Sequence, residues 1–245
     1  MHLLFLGTGG YHPNERRHTA CLMLPEIGLV LDAGSSVFRV PPRVVQKDLD
    51  LFLTHSHLDH VQGLTFLIVP MLQKMITRCR VHATPGTIAA VKEHLFSRPL
   101  FPVAPPFEFI PLEKSVTVAN GLGTITHHPL KHPGGSVGYK LEIGGKKIAY
   151  ITDTTTDGSY LEFIRGVDVL IHECNFPDEM AEWAETTGHS HTSPVAQLAK
   201  DAGVGRLFLT HIDPQRSGDD PIGLATARAI FPETHLAEDL MGIDI

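Results

Sequence analysis

LFLTHSHLDHVQGL, residues 51–64, is the stretch on which the reading of this chain turns. An apolar run ends here in His55, His57, Asp59 and His60, all inside six positions. Packing gives no reason for such crowding, because imidazole and carboxylate groups are costly to bury without partners. The cluster either lies open to water or holds something. In an extended chain side chains repeat every two residues, so His55 and His57 can point to one side. Asp59 and His60, at the start of a predicted helix, can then face the same space. Neutral imidazole and carboxylate are ligands that suit zinc. Four such groups exceed what one tetrahedral ion usually draws from a single loop, so two ions are the natural reading. The competing explanation is a solvated loop that is rich in histidine by chance.

Similar signals recur downstream at the ends of other apolar strands. HHPLKHPGGSVGYKLE carries His132 before a Gly-Gly turn, with His127 and His128 as rivals for the same role. IAYITDTT ends a strand in Asp153, and LFLTHID ends one in His211. Strand ends of this kind are where α/β folds commonly place their sites. Taken singly, each has a bland explanation: a solvated loop histidine, an aspartate capping a turn with Thr154 to Thr156, a histidine that binds nothing. Those explanations fail for all of them together with the first cluster.

The bulk properties fit this picture. A chain of 245 residues with 42% hydrophobic residues, 22 glycines and 18 prolines is long enough for one large α/β domain or two small ones. A formal net charge of −7 argues against a broad nucleic-acid footprint. Cys21, Cys79 and Cys174 form no CxxC pair, and a reducing cytoplasm is the expected setting. No apolar run approaches the ~18 residues of a membrane span, and MHLLFLGTGG lacks the features of a signal peptide.

Strands are expected over HLLFLGTG, TACLML, GLVLDAG, LDLFLTH, RVHAT, GTITHHPL, SVGYKLEIG, KKIAYITD, VDVLIHE and RLFLTH. A helix should follow His60 through VQGLTFLIVPMLQKM and end at the basic TRCR. A second should cover PGTIAAVKEHLF. A third should cover TSPVAQLAKDAG, with Thr192 or Ser193 as N-cap and Gly203 after its last turn. Residues 99–111, with five prolines, should be an extended connection. The triplet LTH occurs at 53–55 and again at 209–211, which hints at two similar halves meeting at one site.

The order His55-Ser56-His57-Leu58-Asp59-His60, His132, Asp153, His211 resembles the metallo-β-lactamase superfamily over nearly the whole chain. The resemblance implies an αββα four-layer sandwich formed as a single domain over residues 1–245. It also implies two divalent metal ions, zinc before manganese or iron. His55, His57 and His132 would hold the first ion; Asp59, His60 and His211 the second; Asp153 would bridge them. FLGTGG, HPGGSVGY, ITDT and GHSHTSPVAQLAKDAGVGRLFLTH are similar to the ribonuclease Z branch and its phosphodiesterase relatives. That branch carries a histidine shortly before a helix as proton donor to the leaving group. His189 matches the position, with His191 as runner-up. Two features depart from the branch. Only 20 residues separate His132 from Asp153, too few for the long tRNA-gripping arm usual there. The early Pro-x-Lys-x-Arg-Asn loop reads Pro13-Asn14-Glu15-Arg16-Arg17-His18, with Glu15 in place of the lysine.

The implied chemistry is hydrolysis of a phosphodiester by water activated on the two metals. Asp59 would orient that water as well as ligate, and His189 would protonate the departing alkoxide. The expected substrate is a small cyclic phosphodiester or an RNA end, with no membrane partner; a homodimer is an expectation of the branch alone. Hydrolysis of a carboxylic ester, lactone or thioester is the alternative, since it uses the same metals with less need of a proton donor. Asp32 and Glu173, at strand ends near the predicted site, are expected to hold a turn or a ligand histidine.

Overall fold

The computed structural model describes residues 1–216 and 218–245. The first half of the chain lays down β1 (His2–Gly7), β2 (Cys21–Leu24), β3 (Leu29–Leu31), β4 (Asp48–Phe52), β5 (Arg78–Ala83) and β6 (Glu108–Pro111). The second half lays down β7 (Ser115–Val118), β8 (Gly123–Leu130), β9 (Ser136–Ile143), β10 (Lys146–Ile151), β11 (Val169–Glu173), β12 (Arg206–Thr210) and β13 (Thr234–Leu236). A last strand, β14 (Gly242–Asp244), returns to pair with β1. The result is two seven-stranded sheets, ordered β14-β1-β2-β3-β4-β5-β6 and β13-β12-β11-β10-β9-β8-β7.

Both sheets begin with antiparallel pairs and continue with parallel ones, β3 to β6 in the first and β10 to β13 in the second. Each strand that runs into an LTH triplet lies between two parallel neighbours. The two-half symmetry hinted at by the repeated triplet is therefore present in the topology.

Alternation along the strands sorts the apolar side chains into layers. Leu22, Leu24, Leu29, Leu31 and Phe52 of the first sheet meet Tyr139, Leu141, Tyr150, Ile171 and Phe208 of the second in the middle core. Cys21, Met23, Leu49 and Leu51 face outward, toward a core that includes Leu64 and Leu67 of a covering helix. Ala149, Ile151, Leu170 and Leu209 do the same on the far side, against Val195, Ala196 and Ala199. Three core layers make four layers of structure, the αββα sandwich.

Helices cover the outer faces: α1 (Leu58–Val61), α2 (Leu64–Leu72), α3 (Pro85–Ala90), α4 (Leu161–Ile164), α5 (Ala181–Thr187), α6 (Thr192–Ala202) and α7 (Leu224–Ile230). Two expectations about them are corrected. The basic TRCR does not close a helix, since Arg78 opens β5. Tertiary pairing overrides local propensity there, with Arg78 on Glu108 of β6 and Arg80 on Asp50 of β4. The N-cap of α6 is also supplied from a distance. Asp178 accepts from Ser193 N–H at 2.8 Å, while Thr192 Oγ1 donates to the Ile222 carbonyl. Gly203 does end α6 in the left-handed conformation. The chain over 99–111 stays irregular until Glu108, where β6 begins.

Candidate metal centre

One edge of the sandwich collects the predicted residues. β1, β3 and β4 of the first sheet and β8, β10, β11 and β12 of the second all end there, because the antiparallel pairings alternate direction and the parallel ones preserve it. The loops beyond those ends carry Tyr11, Asp32, His55 to His60, His132, Asp153 and His211.

The donor atoms of His55, His57, His132 and Asp153 lie within 4.8 Å of one another, and so do those of Asp59, His60, Asp153 and His211. Asp153 belongs to both groups through different oxygens. Its Oδ1 stands 3.1 Å from His60 Nε2 and 3.4 Å from His211 Nε2, and its Oδ2 3.6 Å from His55 Nε2 and 3.7 Å from His132 Nε2. Of the three candidates on the His127–His132 stretch, His132 is the one that arrives. His128 instead stacks on Phe163 with ring centroids 5.3 Å apart.

Ring orientation is fixed from behind. His60 Nδ1 donates to Asp32 Oδ2 at 2.9 Å, and His132 Nδ1 donates to the Gly188 carbonyl at 2.9 Å. Both contacts occupy Nδ1 and turn Nε2 toward the cluster. Asp32 also accepts from Thr54 N–H at 2.8 Å, from Thr54 Oγ1 at 3.0 Å and from Tyr150 O–H at 3.0 Å. Asp32, expected to hold a turn or a ligand histidine, thus accepts from the His60 ring and from Thr54. The backbone at the edge is strained: Asp32, Asp153 and His211 sit at φ of 59°, 51° and 57°. Such conformations cost about 1–2 kcal/mol for an L-residue and persist where tertiary contacts over-determine them.

The donor set fits divalent cations. His55 Nε2 is buried and has no hydrogen-bond partner. Asp32, Asp59 and Asp153 are buried carboxylates whose ion-pair partners among the described residues are histidines. Buried negative charge needs compensation. Burial opposes ionisation of Asp153, yet His211, His60 and His55 hold it well below the ordinary carboxylate range. Burial likewise opposes a charge on His60, but Asp153, Asp59 and Asp32 raise it well above the usual imidazole value. Burial and the neighbouring His60 push His55 the other way, so it stays neutral.

His189 stands over this cluster, its ring 5.1 Å from that of His132 and 5.4 Å from that of His211. Its Nδ1 donates to Glu173 Oε1 at 3.1 Å. Burial lowers its basicity, but Glu173 and then Asp153 outweigh that and raise the pKa to about 9. Glu173 is itself pinned by Thr154 N–H at 2.6 Å and Ser190 N–H at 3.0 Å. The runner-up, His191, turns away and donates to Asp178 Oδ1 at 2.7 Å.

Sequence reasoning passed over three contributors. Tyr11 N–H donates to Asp59 Oδ2 at 2.9 Å, Asn175 Nδ2 donates to the His211 carbonyl at 2.9 Å, and Gly188 supplies the carbonyl that His132 uses. Two of these act through main-chain atoms, which no residue pattern announces. Asn175 lies beside Glu173 in IHECNF, the only trace it leaves.

Comparison with known proteins gives the chain its family. The profile of the beta-lactamase superfamily domain matches residues 29–212, and the chain belongs to that superfamily. Its relatives place it in the ribonuclease Z-like branch. Ribonuclease Z of Methanosarcina acetivorans is 30% identical over all of this chain and 98% of its own length, and that of Methanosarcina mazei is 29% identical with the same coverage. The alignment with the latter runs over 300 positions against 245 residues here, so at least 55 positions face no residue of this chain. Among solved structures, the metallo-beta-lactamase fold protein YhfI from Bacillus subtilis superposes with a TM-score of 0.83 at 22% identity, covering 99% of both chains. Human tRNase Z, short form, superposes with a TM-score of 0.76 at 22% identity, covering 100% of this chain and 99% of its own. The chain is thus a metal-dependent hydrolase, and phosphodiester hydrolysis is the activity at family level. Between His132 and Asp153 it has only the β9–β10 hairpin where the resemblance implies an arm. Among the described residues no helix is long and apolar enough to cross a membrane.

Proposed function

We propose that this chain, acting as one domain over residues 1–245 in a reducing cytoplasm, hydrolyses a small phosphodiester or an RNA end at a two-zinc centre. His55, His57 and His132 would hold one ion, Asp59, His60 and His211 the other, with Asp153 between them. The observation that carries this reading is the pair of donor groups sharing Asp153 under a histidine whose far side is anchored to a buried glutamate. Two bound zinc ions would supply Lewis acidity and make water a competent nucleophile near neutral pH.

The chain's own residues do the rest. Asp59, held by Tyr11 N–H, accepts a hydrogen bond from the incoming water and orients it. Glu173 outweighs burial in favouring the charged form of His189, whose Nε2 would then carry a proton at the mouth of the cluster. As the water oxygen bonds to phosphorus and the bond to the leaving oxygen breaks, that proton passes to the departing alkoxide, while the proton given up by the water passes to solvent, from which His189 is reprotonated. The products are a phosphomonoester and an alcohol.

One observation favours a second reading, hydrolysis of a carboxylic ester, lactone or thioester. Among the described residues, no lysine or arginine lines the cleft over the cluster. The test is turnover of bis(p-nitrophenyl) phosphate, a cyclic nucleotide and p-nitrophenyl acetate by the zinc-loaded protein, beside His189→Ala. We expect metal-dependent phosphodiester turnover and a loss of roughly 10²–10⁴ in kcat for the variant on the cyclic nucleotide, whose leaving group is poor. Silence on every phosphodiester with ester turnover intact would replace the first reading by the second.

A further inference from the structure

The cleft over the cluster has a volume of about 680 Å³, and Tyr11, Pro13, Leu58 and Pro133 give it apolar walls. The arginines of the neighbouring segments are tied into the fold. Arg16 pairs with Glu238 at 2.8 Å and Asp219 at 3.2 Å. Arg17 donates to Thr8 Oγ1, the Ala237 carbonyl and Glu238, and Arg39 pairs with Asp239. Lys131 lines an adjoining side pocket of about 370 Å³, which it shares with Asp157 and Glu185, and not the cleft itself. Beyond the reacting phosphate, which His189 would face, a second anionic group would meet no lysine or arginine on the cleft walls among the described residues.

Tyr11 stands at the entrance, 77% exposed. Its φ is 56°, a conformation that disfavours any side chain, and its N–H is fixed to Asp59. Its ring makes an edge contact with His12 at 5.5 Å and joins none of the three cores. Gly9 and Gly10 immediately precede it, so glycine stands where the neighbouring backbone needs it and an aromatic ring stands here. A strained, solvent-facing ring beside a reactive centre points to contact with a ligand. Leu58, 67% exposed, faces the same space.

We infer that Tyr11 is a specificity-determining residue that stacks on a planar heteroaromatic base. The preferred substrate is then a small nucleoside phosphodiester whose single charge is the reacting phosphate. This rests on the phosphodiesterase reading above and narrows it, since a polynucleotide brings a charge with every residue and this cleft answers one.

The zinc-loaded protein, Tyr11→Ala and Tyr11→Phe would be assayed on 2′,3′-cyclic AMP, on its 5′-phosphorylated form, and on glycerol 1,2-cyclic phosphate, which has no base. All three proteins would also be titrated with 3′-AMP by calorimetry, a readout independent of turnover. Both variants keep the N–H that meets Asp59. Stacking on one aromatic ring supports a rise of about 5- to 100-fold in the KM ratio of base-bearing to base-free substrate for Tyr11→Ala. We expect 3′-AMP binding to weaken in parallel, Tyr11→Phe to resemble wild type, and the 5′-phosphorylated substrate to be the poorer one. An unchanged ratio with unchanged 3′-AMP binding would overturn the inference. So would preference for the 5′-phosphorylated substrate, or a higher kcat/KM on an RNA transcript with the steep salt dependence of polyanion binding. If no phosphodiester is hydrolysed the broader reading falls by itself, and the calorimetry still decides whether Tyr11 holds a base.

Discussion

Replacing Asp32 by asparagine tests whether the cluster is organised from behind. Asparagine has nearly the same shape and tolerates the left-handed backbone found at this position, φ 59°, so the change isolates the charge and one acceptor. In the protein Oδ1 receives Thr54 and Oδ2 receives His60 Nδ1 and Tyr150 O–H. An amide offers NH₂ on one side, so at least one pair of these donors then faces a donor. If the amide nitrogen takes the Oδ2 side, two hydrogen bonds to a charged acceptor are lost at about 1.5 kcal/mol each, or about 3 kcal/mol together. For a protein of this size that is a fall in Tm of roughly 6–12 °C. The second consequence is chemical. His60 can then accept at Nδ1 and carry its proton on Nε2, the atom aimed at the cluster, and zinc affinity should fall about 10- to 100-fold. Competition with a chromophoric chelator measures the affinity and its stoichiometry; calorimetric scanning in excess chelator measures the stability. Two ions bound with wild-type affinity by Asp32→Asn would refute the claim that this carboxylate sets the tautomer of His60.

Three further outcomes are expected. In Gly10→Ala the new Cβ would lie 2.6 Å from His211 Cε1, so His211 must shift, and metal stoichiometry should drop toward one per chain with the fold retained by circular dichroism. Burial opposes the charge on Asp50, but Arg80 and His82 lower its pKa to about 2. Its stabilising contribution is present above the unfolded value near 4 and is lost as pH falls toward 2. Urea midpoints measured in chelator should therefore place Asp50→Asn below wild type at pH 7 and beside it near pH 2. Removing metal with a chelator should lower Tm, because zinc at 100 times its Kd contributes about 2.7 kcal/mol to the folded state; an unchanged Tm would mean that the donor groups bind no ion.

The strands were legible because apolar alternation writes both faces of a sheet into the chain, and the site was legible because polar residues stand where those runs stop. His55, His57, Asp59 and His60 announce themselves by spacing alone. Other features depend on partners far away in sequence. Arg78 and Arg80 resemble a helix ending until Glu108 and Asp50, across the sheet, claim them. The cap of α6 comes from Asp178, not from its own first residues. His189 and His191 differ by two positions, and only Glu173 and Asp178 decide which one faces the cluster. The short α5, β13 and β14 carry too few residues to show a period. Tyr11 escaped notice because its importance lies in a main-chain N–H and a torsion angle.

The place of Asp153 in both donor groups has a consequence for how the proposed centre would assemble. The first donor group takes His55 and His57 from one sheet and His132 and Asp153 from the other, and the second group divides in the same way. Neither sheet alone contains a complete set. A slip of one layer over the other by a single residue would move the donors by about 3.3 Å, beyond the tolerance of a coordination bond. If the ions bind as proposed, a chain with both sheets formed but not yet mated would hold no complete donor set, and ion capture would follow correct mating of the halves.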